Sequence, residues 1–203
     1  MAPDGAGGLY LAAAASTFSI LRSEVPPNCA TTLLAAPPDG GWGVVSGLDT
    51  LYRASCLPWQ IGERYCGPPV PNSTGASSRI GGFGRTSTAA NDVLLRASQL
   101  PPFTAGYLLV SDTRGFVVGP GGSVGNLCLG GSIGRYVGPG QVQSSGANGT
   151  FELQLDLGAI PRPTGAVSAV PGSTWNFSWW HRDTGSGGAA TSNFTDALAI
   201  RFD

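Results

Sequence analysis

His181 is the only histidine in the 203-residue chain, and Asp183 follows it by two positions in the run Trp175-Asn176-Phe177-Ser178-Trp179-Trp180-His181-Arg182-Asp183. A histidine near a carboxylate, in a chain rich in serine, is the raw material of nucleophilic hydrolysis. That chemistry also needs a serine on a strained strand-to-helix elbow. The Gly-rich segments Gly119-Pro120-Gly121-Gly122 and Gly130-Gly131-Ser132-Ile133-Gly134 open no helix as a phosphate cradle would, so they read as turns. A lone histidine on an apolar strand face reads as a hydrogen-bonded core residue. No carboxylate pair has motif-like context for glycoside hydrolysis. The expectation is a chain with no catalytic residues.

The same run suggests a second chemistry, sugar binding, because flat indole faces stack on pyranose rings. Strict alternation places Trp175, Phe177, Trp179 and His181 on one face of a strand, a core face. Asn176, Ser178, Trp180 and Arg182 take the other face. Trp180, with Asn176 and Arg182 beside it, is the candidate ligand platform. The competing reading makes Trp180 part of a second buried layer or an interface anchor.

Metal chemistry has little to stand on. The cysteines are Cys29, Cys56, Cys66 and Cys128, with no Cys-x-x-Cys pair, and one histidine completes no common zinc set. No cofactor is expected. Calcium is the one ion that the loops would suit, through Asn91, Asp92, Asn193 and Asp196, though without EF-hand-like spacing. An even cysteine count in a Gly- and Thr-rich chain fits two disulfides and an oxidising compartment. Of three pairings, Cys29–Cys56 with Cys66–Cys128 is preferred, one in each half. Four N-x-[ST] sequons, at Asn72, Asn148, Asn176 and Asn193, are chance matches in a Ser/Thr-rich chain and are expected to carry no glycan.

Charge is sparse, 11 % Asp, Glu, Lys and Arg with a net of −1, which disfavours nucleic acid as a partner. All eleven basic residues are arginine, as a GC-rich genome would produce. No apolar run approaches the ~20 residues of a membrane span. The N-terminus lacks the features of a secretory signal. The 32 glycines and 16 prolines read as turn chemistry for many short strands, since 18 aromatic residues argue against disorder.

The elements that must position these residues are strands. In the first 65 residues, short strands are expected at 8–13, 18–22, 30–35, 42–46 and 48–54, a layout resembling one blade of a β-propeller. A proline-punctuated joint follows at 56–71. Beyond it strands are expected at 78–83, 92–98, 106–111, 115–118, 126–129, 134–137, 150–157, 173–182 and 196–202, with a turn-rich linker at 183–193. In 150–157, Phe151, Leu153, Leu155 and Leu157 point inward. Strands at intervals near ten residues, without strand–helix alternation, indicate an all-β fold. It is an antiparallel β-sandwich or jelly roll over 66–203, preceded by a small β-sheet segment over 1–65.

Residues 66–203 also resemble a C-terminal module of secreted, largely uncharacterised proteins of GC-rich bacteria. The landmarks are YCGPPVPNSTG (65–75), AND and LLRA within 90–97, LPP (100–102), GNLCLGGSIGRY (125–136), LQLDLGAIP (153–161), PGSTWNFSWWHRD (171–183) and TSNFTDALAI (191–200). The resemblance implies an extracellular β-sandwich in which Cys66 pairs with Cys128, often following propeller-like regions. It implies no activity. The expected function is a non-enzymatic structural or interaction module of a bacterial surface or secreted protein, self-assembling into a fibre or coat. Its partners would be other copies or other surface proteins. The alternative is a lectin-like sandwich that binds glycans.

Overall fold

The computed structural model describes residues 9–13, 29–34, 50–56 and 60–203, and the chain divides into two units, Met1–Trp59 and Gln60–Asp203. In the first, β1 (Leu9–Ala13), β2 (Cys29–Leu34) and β3 (Thr50–Cys56) form an antiparallel sheet in the order β1-β3-β2. Its register sets Cys29 opposite Cys56. The strands expected at 18–22 and 42–46 lie outside the described residues.

The second unit opens with β4 (Gln60–Ile61), β5 (Glu63–Tyr65), β6 (Arg79–Phe83), β7 (Leu94–Ser98), β8 (Ala105–Ser111), β9 (Thr113–Val118) and β10 (Asn126–Gly130). It continues with β11 (Gly134–Arg135), β12 (Gln143–Ser144), β13 (Phe151–Gln154), β14 (Ile160–Arg162) and β15 (Gly165–Val167). It closes with β16 (Thr174–Thr184), β17 (Ala190–Phe194) and β18 (Ala197–Arg201). One sheet runs β11-β8-β16-β18-β5, with β12 added to β8 and β17 to β16. The other runs β13-β7-β6-β4, and β9–β10 and β14–β15 form separate two-stranded ribbons.

Alternation explains why the two large sheets stack. Trp175, Phe177 and Trp179 of β16, Leu108 and Val110 of β8, and Leu198 and Ile200 of β18 face Ile80, Leu95, Ala97 and Phe151 from the opposing sheet in one buried cluster. The Phe151 and Trp179 rings stack across the interface at 5.1 Å. Gly106 makes room for this contact, since a Cβ there would lie 2.4 Å from the Phe151 ring. The fold is an all-β antiparallel sandwich.

β16 is the axis. β8 pairs along one edge, and β18 and β17 share the other in succession. Between those two, the Thr195 N–H donates to the Trp179 carbonyl, and the Trp179 N–H donates to Thr195 Oγ1, each at 3.0 Å. The hydroxyl thus stands in for a ladder carbonyl where the partner strand bends.

Three expectations need correction. The second unit begins at Gln60, not at Cys66, because β4 pairs with β6 and β5 with β18. The linker at 183–193 contains a strand: Ala190–Phe194 folds back on an extended β16 through the turn at Gly185–Gly188. Leu153 is only half-buried and packs at the margin of the core, whereas Phe151, Leu155 and Leu157 are fully inside.

A third layer lies outside the large sheet. Leu127 and Leu129 of β10 pack with Leu109, Tyr107, Ile133, Trp180 and Phe194 in a second apolar cluster. The register of the ribbon shifts between Leu127 and Leu129, and a Cβ at Gly115 on the facing strand would come within 2.7 Å of the Leu129 backbone. Two further links hold it down, a Cys66–Cys128 disulfide and a 3.0 Å hydrogen bond from Tyr65 Oη to the Cys128 carbonyl.

Candidate functional site

His181 lies on β16 at the core face and is fully buried. Its Nδ1 is 2.9 Å from the Arg182 carbonyl and its Nε2 is 3.2 Å from Ser78 Oγ. A carbonyl only accepts, so Nδ1 carries the proton, and Nε2 accepts from the Ser78 hydroxyl. Burial holds the imidazole below its ordinary pKa, against the raising influence of the Arg182 carbonyl and the Asp183 carboxylate.

This pair belongs to a wider polar knot. Asn72 Nδ2 donates to Ser78 Oγ (2.9 Å) and to the Gln99 carbonyl (2.7 Å), while its Oδ1 accepts from the Thr74 N–H and hydroxyl. Asp183 accepts from the Ser73 and Thr184 backbone N–H groups and from Asn193 Nδ2. Burial pushes the Asp183 carboxyl up, but these hydrogen bonds outweigh it and hold it below the usual range. Asn193 also donates toward the Val70 and Pro71 carbonyls. The knot ties the 67–77 loop to both sheets.

A serine hydroxyl on a histidine nitrogen is the geometry of a nucleophile and its base, but Ser78 is 1 % exposed and His181 0 %. Substrate has no route to that oxygen. Two segments have the Gly-x-Ser-x-Gly residue pattern, Gly121-Gly122-Ser123-Val124-Gly125 and Gly130-Gly131-Ser132-Ile133-Gly134. Neither is an elbow. Ser123 is buried and donates to the Ser192 carbonyl, and the second segment links β10 to β11 without a helix.

The residues expected as a sugar platform are differently placed. Asn176 is 1 % exposed, and its Nδ2 donates to the Ser111 carbonyl. Trp180 is half-buried in the second apolar cluster, with the Tyr107 ring at 4.9 Å and the Arg182 guanidinium over its face at 5.5 Å. Arg182 is exposed but covers the indole rather than standing beside an open one. The β10 ribbon accounts for this, because it buries the face that alternation alone assigns to solvent.

Each of the expected calcium donors makes hydrogen bonds within the protein. Asp92 accepts from the Arg85 backbone N–H and side chain, Asn91 Oδ1 from the Leu157 N–H, and Asp196 from the Ile80 N–H. Among the described residues, no group of three or more His, Cys, Asp or Glu converges as a metal site. Of the sequon asparagines, Asn72, Asn176 and Asn193 are buried and only Asn148 is exposed.

The remaining feature is the exposed apolar segment of the β9–β10 ribbon. Phe116, Val117 and Val118 are 63 %, 48 % and 74 % exposed, and Val124 follows in the connecting turn. β10 pairs one edge of β9, and among the described residues no strand pairs the other. The signal was the unbroken run Phe116-Val117-Val118, which lacks the alternation of a half-buried strand.

Comparison of the chain with protein-family models, with curated proteins and with solved structures finds no match.

Proposed function

We propose that the chain is a non-enzymatic interaction module of an extracellular bacterial protein, and that it associates with further copies of itself through β9. The observation that carries this reading is the open, apolar edge at Phe116–Val118. Contiguous exposed apolar surface marks association sites, and an unpaired strand edge is a template for a strand from another chain.

A second copy fits this edge. Antiparallel pairing of β9 with β9 about a two-fold axis sets the same strand against itself, the isologous arrangement. Residues 115–118 carry no charge, and Arg114 is neutralised by Glu63 at 3.0 Å while lying 4.3 Å over the Tyr65 ring. No unpaired charge opposes such a contact. With a further contact elsewhere on the molecule, pairs would extend into a fibre or coat.

The compartment is supported by the Cys66–Cys128 disulfide, which persists in oxidising surroundings, and by the resemblance to a secreted module. No helix among the described residues is long and apolar enough to cross a membrane. A carbohydrate platform on Trp180 receives less support, because Tyr107 and Arg182 cover that ring. Sedimentation velocity over a concentration series tests the proposal. The wild-type chain should move to a larger species as concentration rises, and Phe116→Asp should remain a monomer. A wild-type protein that stays monomeric at the highest concentration contradicts it, and capture by a neutral glycan surface would favour the lectin-like alternative.

A further inference from the structure

We propose that the cleft where the start of β6 meets the bend between β17 and β18 binds a small carboxylate bearing a nearby hydroxyl, the chemistry of a hydroxy acid or a uronate sugar. This site adjoins β9 only through Tyr65, which Arg114 covers, and does not depend on association. The cleft is a shallow, open groove of about 480 Å³, and its walls include Arg64, Tyr65, Pro68, Pro69, Arg79 and Asp196.

Asp196 sets the chemistry. It is only 6 % exposed, because the bend at Thr195 turns it inward. Oδ1 accepts the Ile80 backbone N–H at 2.8 Å. Oδ2 has Arg64 Nη1 at 3.9 Å, a charge contact beyond hydrogen-bond reach. Oδ2 therefore lines the cleft with acceptor capacity left for a ligand donor. Burial pushes this carboxyl up, against the lowering influence of the Ile80 N–H, Arg64 and Arg79.

The two arginines supply the complement. Arg85, Arg96, Arg114 and Arg162 each pair closely with a carboxylate. Arg64 has only the 3.9 Å contact, and Arg79 has no ion pair among the described residues. Two guanidinium groups and one carboxylate leave the cleft with a net positive charge. An anionic group meets the arginines, and a hydroxyl beside it donates to Asp196 Oδ2. Pro68 and Pro69 offer an apolar wall to the carbon skeleton.

The test is an amide NMR titration of the intact chain with lactate, D-glucuronate, acetate and glucose, following Ile80 and Asp196. Lactate or glucuronate should give saturable shifts at lower concentration than acetate, and glucose none. Tighter binding of glucuronate assigns a sugar ligand, and tighter binding of lactate a free hydroxy acid. Arg79→Gln and Arg64→Gln alter exposed side chains and should each weaken binding by about tenfold or more. Asp196→Asn should keep carboxylate binding but lose the preference over acetate. The absence of saturable shifts, equal shifts with glucose, or binding unchanged by Arg79→Gln in a protein of unaltered melting temperature overturns the proposal.

Discussion

Ser78 Oγ and His181 Nε2 meet at 3.2 Å between the two sheets, and neither residue is open to solvent. Ser78 stands just before β6 and His181 lies on β16, so the contact joins the two opposing layers. A buried neutral imidazole is costly to protonate, and that gives the knot a pH signature.

The sign follows from where the proton goes. His181 is held below its ordinary value of 6.5 in the folded chain, so the unfolded chain takes up the proton first as pH falls. Stability is fully present above that value and declines below it. Asp196, shifted upward, acts with the opposite sign in the more acidic carboxylate range, and Asp183, shifted downward, loses its contribution there. Urea unfolding between about pH 7.5 and 5.5 should show stability falling with a slope of at most ~1.4 kcal/mol per pH unit. His181→Gln should flatten that slope while lowering stability throughout. A flat wild-type profile would mean that the imidazole is not held neutral.

Phe151 and Leu153, two residues apart on β13, should respond differently to truncation. Phe151 is 1 % exposed and stacks on Trp179, so Phe151→Ala should cost roughly 3–5 kcal/mol. Leu153 is only half-buried, and Leu153→Ala should cost less than about 2 kcal/mol. Chemical denaturation of the two variants checks the order. Equal losses would place Leu153 in the core after all.

β16 could be read from its residues because every second position is large and apolar, and that alternation set Trp175, Phe177 and Trp179 inward correctly. The burial of its other face could not be read. Asn176 and Ser178 look like solvent-facing residues until the β9–β10 ribbon, some fifty positions earlier, folds over that side of the sheet. β5 and β17 escaped for a different reason: ERY and ATSNF are short and polar, and only their partners β18 and β16 make them strands. The knot has no local signal either, since Asn72, Ser78, His181 and Asn193 meet only through tertiary pairing. The sequon pattern drew attention to two of them on grounds unrelated to their role.

The Cys66–Cys128 bridge closes a loop with a sequence separation of 62 and ties β5's end to the ribbon. Loop-closure entropy assigns it about 4 kcal/mol. The Cys66→Ser/Cys128→Ser double variant should therefore unfold at clearly lower urea concentration, with a steeper dependence on denaturant because the unfolded chain is less compact. A midpoint equal to that of the wild type would show that the covalent tether adds nothing to packing already present.

Amide hydrogen exchange in β9 bears most directly on association. The exchange rates of residues 113–118 should be measured at several protein concentrations under otherwise fixed conditions. If the open edge pairs with a second copy, local-opening exchange of these amides should slow with concentration, and by a larger factor than that of Leu108 and Phe177 in the core. Rates in β9 that do not change with concentration would contradict the account.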